Sequence, residues 1–364
     1  MEYRKLPHGD EYISIIGVGM GSIHVSSEAD IERTICYAMD RGINYFDFVP
    51  SQAKPFSAYA KAFAGRREQV YLQVHLGADY SSGSYAWTRD LSVIKREFEA
   101  RLSILSTDYA DFGFIHCMDE QDDFDSSMNN GLWEYALKLK QQGRIRHLGF
   151  SSHNPAIAQK FIDTGEIDMC MLAVNPLFDY SQGSYGIGTN KERMDLYRTC
   201  ERLGVGISVM KPFAGGQLLD AQRSPFHTAL TEVQCMAYAL DRPGVCTVLP
   251  GVRGINDLKV CLNYVDATNE ERDYSSIGSF MPADAVGNCT YCNHCQPCPA
   301  GLDVGMINKY YDLARSGDAL AANHYDKLAK HASDCIQCGH CDKRCPFSVE
   351  QSTRMQEIAR YFAQ

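Results

Sequence analysis

The chain has 364 residues, of which 45% are apolar and 22% charged, with a formal net charge of −10. That is enough for a large buried core and lacks the basic excess that drives binding to phosphate backbones or anionic lipid. The opening residues carry no apolar export core, and no run of about 18 apolar residues occurs, so the expectation is a cytoplasmic protein with neither nucleic acid nor membrane as partner.

Short β-branched or apolar runs predict strands at 13–16, 43–48, 70–76, 112–116, 146–150, 169–174, 205–210 and 245–249. Longer amphipathic segments separate them. Ile31, Ile35, Ala38 and Met39 recur at helical spacing before Gly42, as do Leu132, Tyr135, Ala136 and Leu139 before Gly143. Strands alternating with helices build a parallel sheet, and eight is the barrel number, so the expected fold is α/β, a (β/α)8 TIM barrel. The glycine-rich stretch at 17–21 lacks the full dinucleotide fingerprint and reads as a tight barrel turn. After Asn263 the alternation stops and a Cys-rich segment begins, which divides the chain into a barrel over 1–270 and a small α-rich domain over 271–364.

Eight of the 15 cysteines fall in that second part: Cys289, Cys292, Cys295 and Cys298, then Cys335, Cys338, Cys341 and Cys345. Clustered thiols in a reducing compartment bind metal in preference to forming disulfides. The second run has the bacterial ferredoxin spacing, and the first is one residue short between its third and fourth cysteines. Three thiolates at this spacing wrap one cubane while the distant Cys-Pro reaches the other. The expected ligand sets are therefore Cys289, Cys292, Cys295 and Cys345 for one 4Fe-4S cluster, and Cys335, Cys338, Cys341 and Cys298 for a second. Zinc held by C-x2-C pairs is the alternative.

Barrel chemistry sits at the C-terminal ends of the strands. Those ends carry Asp47, His75, His116, Ser151, Ser152, His153, Asn175 and Lys211, followed by Pro250, Gly251 and Arg253 after the eighth strand, where barrels commonly bind phosphate. Cys117, beside His116, points the other way by strand alternation and reads as structural. Loops 77–88 and 178–190, rich in Tyr, Ser and Gly, are expected to line the pocket.

The stretches RGINYFD ending at Asp47, LSTDYADFGFIH ending at His116, GRIRHLGFSSH ending at His153, MKPFAGG from Met210 and LPGVR ending at Arg253 resemble the aldo/keto reductase family, in its branch with a C-terminal two-cluster ferredoxin module. The resemblance spans nearly the whole chain. It implies a barrel binding NADP(H) across its mouth, and an Asp, Tyr, Lys and His set in which Tyr protonates the carbonyl oxygen. Asp47 and His116 match that set; Gln52 stands at the Tyr position and His75 at the Lys position. An amide does not ionise in the useful range, so Gln52 cannot replace the phenol as general acid. His75, or Tyr80 or Tyr85 from the following loop, is the candidate substitute. Ser151 and Asn175 match the family's nicotinamide contacts, Met171 stands for the expected Gln, and Met210 takes the stacking position. Val260 and Cys261 replace the adenine-reading pair, leaving Arg253 as a phosphate cation.

The expected function is an oxygen-sensitive iron–sulfur oxidoreductase, with electrons passing through two clusters to or from a small organic substrate or cofactor at the mouth, fed by a ferredoxin or flavoprotein. An NADP(H)-dependent carbonyl reductase with a substitute acid, a lyase or isomerase using the same acid–base groups, and an electron-transfer subunit whose barrel only docks a partner are the alternatives.

Overall fold

Eight short apolar strands pair in parallel around a closed ring. The computed structural model describes residues 1–180, 185–280, 286–318 and 320–363. The strands are β1 (Val18–Gly19), β2 (Tyr45–Asp47), β3 (Tyr71–Leu76), β4 (Ala110–Ile115), β5 (Ile145–Ser152), β6 (Met169–Ala173), β7 (Gly206–Met210) and β8 (Val245–Val248), each bonded to the next. Parallel bridges between Ile16 and Val248 and between Gly19 and Gly251 close β1 onto β8. The fold is the (β/α)8 barrel that the strand count predicts.

The first strand departs from its expected place. Tyr12–Ser14 pairs antiparallel with Tyr3–Lys5 in a hairpin, and the barrel strand lies further on, within the stretch read as a turn. The glycines explain the shift. A Cβ at Gly17 would lie 2.8 Å from the Tyr45 carbonyl, and one at Gly19 2.8 Å from the Leu249 carbonyl, so glycine permits the close backbone approach that seals the barrel.

Helices cover the outside of the ring. In α1 (Glu28–Asp40), Ile31, Ile35 and Ala38 are fully buried, and the Ser27 side chain caps the start by accepting from the Asp30 amide. Each buried Ile adds about 2 kcal/mol of transfer free energy. Inside the ring, Tyr45, Phe112, Phe114, Met169, Met171, Cys246 and Leu249 pack with Leu6 and Ile13 of the hairpin. The buried Tyr45 hydroxyl donates to Gln73 Oε1 at 2.6 Å, and Gln73 Nε2 donates to Asp47 at 3.0 Å, which fixes the floor of the mouth from below.

The C-terminal segment builds a small core from Leu302, Val304, Ile307, Tyr311, Tyr325, Met355 and Ile358 around Cys295 and Cys341. Phe347 and Val349 join the barrel's own core, and Cys289, Cys292 and Cys345 pack against it. Arg242, 1% exposed, bridges the two by donating to Tyr274 Oη at 3.0 Å and to the Thr290 carbonyl. No helix of the described residues is long and apolar enough to cross a membrane.

Candidate active site and metal centres

The polar strand ends converge on one cavity of about 700 Å³ that contains Asp47, His75, Tyr85, His116, Ser151, His153 and Lys211 and runs out to Gly251 and Arg253. Along one wall lies an unbroken chain of hydrogen bonds. His75 Nε2 meets Asp47 Oδ1 at 2.9 Å, His75 Nδ1 meets His116 Nδ1 at 2.8 Å, and His116 Nε2 meets Tyr85 Oη at 2.5 Å. With a proton on His75 Nε2 facing the carboxylate, His116 donates from Nδ1 to His75 and Tyr85 donates to His116; with the Gln73 amide, 2.9 Å from the same Nε2, donating to it instead, the bonds run the other way, toward Tyr85. Burial, with His75 beside it, holds His116 well below the ordinary histidine range, so its ring is neutral. Burial likewise pushes the Tyr85 phenol up to about 12, and it keeps its proton at neutral pH.

Tyr85 reaches the wall from a hairpin after β3, in which Ala78–Asp79 pairs with Ala86–Trp87. Gln52 is exposed and does not line the cavity. Its backbone forms a bridge with Ser84, which docks the residue preceding Tyr85. Tyr80 is spent on structure, donating from its hydroxyl to the Pro50 carbonyl at 2.6 Å under the Arg101 guanidinium.

Next to it, from the ends of β4, β5 and β7, stands a second set. Asp119, which the sequence reading passed over, accepts from the His153 amide at 2.6 Å and from His153 Nδ1 at 2.9 Å. His153 Nε2 then accepts from Lys211 Nζ at 3.2 Å. Burial pushes Asp119 up, and the bonds from His153 outweigh it, so its carboxyl sits below the usual range. Cys117 also donates to Asp119, at 3.6 Å, and burial together with that carboxylate raises its thiol to about 11. Cys117 lines the cavity rather than facing away from it, because its φ of +55° breaks the strand alternation behind the structural reading.

The NADP(H) contacts implied by the resemblance are mostly spent or turned away. Asn175 is fully buried outside the cavity, its amide donating to the Lys211 carbonyl at 2.8 Å and accepting from the Phe178 amide at 2.9 Å. Ser151 Oγ accepts from the Cys117 amide at 2.8 Å. Met171 and Met210 line the floor with no polar hydrogen to offer a carboxamide, and Pro250 sits behind the wall, its carbonyl accepting from Gly19. The Arg253 guanidinium is paired with Asp257 through Nε at 2.8 Å and Nη2 at 3.1 Å. Of the implied carboxamide contacts only Ser151, which keeps its hydroxyl hydrogen, presents a polar group to the cavity, a poor fit for a nicotinamide end.

The eight cysteines of the C-terminal segment gather in two quartets. Cys289, Cys292, Cys295 and Cys345 line one small cavity; Cys298, Cys335, Cys338 and Cys341 line another. Each run contributes three thiols to one cavity and its last thiol to the other, the crossed sharing expected from the spacing. The two loops share a backbone course: Tyr291 and Gln337, and then Asn293 and Gly339, have positive φ at equivalent positions. Gln351 Nε2 donates to Cys289 Sγ at 3.5 Å, and Gln337 Nε2 to Cys335 Sγ at 3.3 Å. Among the described residues no three of these sulfurs lie within 4.8 Å of one another. A zinc with bonds of about 2.3 Å would draw its sulfurs to about 3.8 Å apart, so the quartets are too wide for one ion and suit a larger cluster.

Comparison with known proteins agrees with this anatomy. Residues 15–234 match the aldo/keto reductase family and residues 285–349 a 4Fe-4S dicluster domain. The uncharacterized oxidoreductase YqkF of Bacillus subtilis is 29% identical over 184 residues, covering 49% of this chain and 58% of that protein. The L-glyceraldehyde 3-phosphate reductase of Escherichia coli K12 is 23% identical over 208 residues, 54% of this chain and 56% of that protein. The chain thus spans a little over half the length of these curated relatives. Among solved structures, an aldo-keto reductase from Bacillus halodurans in its holo form superposes with a TM-score of 0.63 at 25% identity, covering 78% of this chain and 97% of that one. A Klebsiella pneumoniae aldo/keto reductase in complex with NADP and acetate has a TM-score of 0.52 at 18% identity, covering 72% and 90%. The chain belongs to the aldo/keto reductase family and carries a C-terminal 4Fe-4S dicluster domain.

Proposed function

We propose that the protein is an iron–sulfur oxidoreductase that interconverts a small carbonyl compound and its alcohol at the barrel mouth, with Tyr85 as the proton donor. The observation that carries this reading is the hydrogen-bonded chain from Asp47 through His75 and His116 to Tyr85 Oη. The two cysteine quartets would each hold a 4Fe-4S cluster, and such clusters carry electrons one at a time from an external ferredoxin or flavoprotein donor.

Reduction of the carbonyl takes two electrons, which the clusters would deliver one at a time, and two protons: solvent at the open mouth supplies the one that goes to carbon, and the residues of the chain supply the one that goes to oxygen. In the loaded state His75 bears a second proton against the Asp47 carboxylate, and its Nδ1–H points to His116. His116 then donates from Nε2 to Tyr85 Oη, which frees the phenol proton for the substrate oxygen. As charge builds on that oxygen, Tyr85 gives up its proton and takes one from His116, which takes one from His75. Tyr85 is never left as an anion, which matters because burial makes its phenolate costly. The discharged state is the neutral chain described above with His75 protonated at Nε2, one proton poorer. With a poor fit for a nicotinamide end, no step is assigned to NADP(H).

The test is turnover of short aldehydes and ketones under anaerobic conditions, with a dithionite-reduced viologen as donor and alcohol as the product measured. Tyr85→Phe is expected to lower kcat on the order of a hundredfold with KM little changed. Unchanged turnover in that variant would remove the phenol from the reaction.

A further inference from the structure

The acid–base chain above leaves the Lys211 amine of the cavity without a role. Lys211 follows β7 with φ of +54°, a left-handed conformation that costs a side-chain-bearing residue about 1–2 kcal/mol and that clusters at functional sites. Its side chain lines the cavity. Among the described residues no carboxylate pairs with its ammonium, whereas the other long cation of the cavity, Arg253, is tied to Asp257. The Lys211 ammonium lies over the Tyr185 ring at 4.5 Å, and its hydrogen-bond acceptor is His153 Nε2, a lone pair fixed by Asp119 on the far side of the imidazole. A cation bound by Cys117, Asp119 and His153, whose ligand atoms lie within 4.8 Å of one another, is disfavoured by the ammonium 3.2 Å from the same imidazole.

Resting on the carbonyl-substrate reading above, we propose that Lys211 also captures carbonyl compounds covalently, as an imine that has lost the oxygen Tyr85 would protonate and so forms on a branch apart from alcohol formation, with His153 as its base and Asp119 as the residue that positions His153. A desolvated lysine beside a proton acceptor is the usual arrangement for this chemistry. His153 Nε2 takes a proton from the ammonium, and the free amine attacks the carbonyl carbon, forming the C–N bond as the π pair moves to oxygen. Proton transfer from nitrogen to oxygen gives the neutral carbinolamine. His153 then returns its proton to the hydroxyl, which leaves as water. The sum is ammonium plus carbonyl giving iminium plus water, with no electron transferred. Burial, which lowers the Lys211 ammonium from its ordinary range against the pull of Cys117, Asp119 and Asp47, makes the free amine accessible. The capture does not use Tyr85, so its failure and the failure of the proton chain are separately visible.

The experiment treats the anaerobic full-length protein with glyceraldehyde and cyanoborohydride at pH 7 and follows labelling by peptide mass mapping. Lys191, whose side chain is 85% exposed, serves as the internal reference. The expected result is one dominant reduced adduct on Lys211, formed at least on the order of tenfold faster than on Lys191. His153→Gln is expected to slow labelling of Lys211 on the order of tenfold while the cluster absorbance stays unchanged. A Lys211 peptide that stays unlabelled, or labels no faster than Lys191, overturns the proposal. So does an undiminished rate in the His153 variant, and protection of Lys211 by inorganic phosphate with no adduct would reassign the ammonium as an anion anchor.

Discussion

At the residue scale the mouth combines positions that strand counting exposes with positions it does not. Asp47, His75 and His116 were legible because each closes a strand whose end faces the cavity, so position alone gave their place. Tyr85 was legible only as one of two loop tyrosines. The choice between it and Tyr80 depends on hairpin pairing and on the bridge from Gln52 to Ser84, neither of which leaves a periodic trace. Asp119 was missed because it lies past the end of β4, in a turn where an acid reads as an ordinary cap. The buried, neutral His116 makes the fold itself sensitive to pH. An unfolded chain binds that proton as pH falls through about 6.5, and the folded chain does not until lower pH. Unfolding therefore takes up a proton below 6.5, so stability is full above that value and declines beneath it, by up to about 1.4 kcal/mol per pH unit from this group. The facing cations Arg89 and Lys211 and the neighbouring His75 and His153 act in the same direction. Thermal melts from pH 7 to pH 5 are expected to fall more steeply for the native protein than for His116→Asn; parallel profiles would mean the imidazole is not held neutral.

At the element scale, the repeat of strand and helix and the cysteine spacing were both readable, because each is a local pattern. Cluster ligands arrive in runs, and the shared positive-φ positions of the two loops follow from the shared x2 spacing. Beyond local pattern, the reading failed at β1, where two residues of strand are held by contacts with Tyr45 and Leu249 that lie far along the chain. Gly149 shows the same limit inside a strand that was read correctly. It sits on β5 opposite Met169, and a Cβ there would collide with the Met169 carbonyl and the Phe114 ring. Backbone cannot yield as a flexible side chain can, so Gly149→Ala is expected to cost about 1–3 kcal/mol in a denaturant titration. A variant as stable as the parent would show that β5 and β6 can separate without penalty.

At the scale of the whole molecule, the barrel mouth and the cysteine quartets are parts of one packed body. Three cysteines of one quartet and the nearby Phe347 and Val349 lie on or in the barrel core, and Arg242 ties the two parts through Tyr274 and Thr290. The second quartet lies in a core of few residues, which a bound cluster would stabilise much as metals hold other small domains together. The separation of cofactor roles follows from the same anatomy: thiols gathered in the C-terminal segment, proton-bearing groups in the barrel, and little left to grip a nicotinamide between them. The measurement that bears on this most directly is a reductive titration of anaerobically purified protein, followed by visible absorbance and normalised to iron content. The account predicts about eight irons per chain and a visible band bleached by dithionite but not by NADPH. Protein holding zinc in place of iron, or a band that stoichiometric NADPH bleaches on its own, would contradict it.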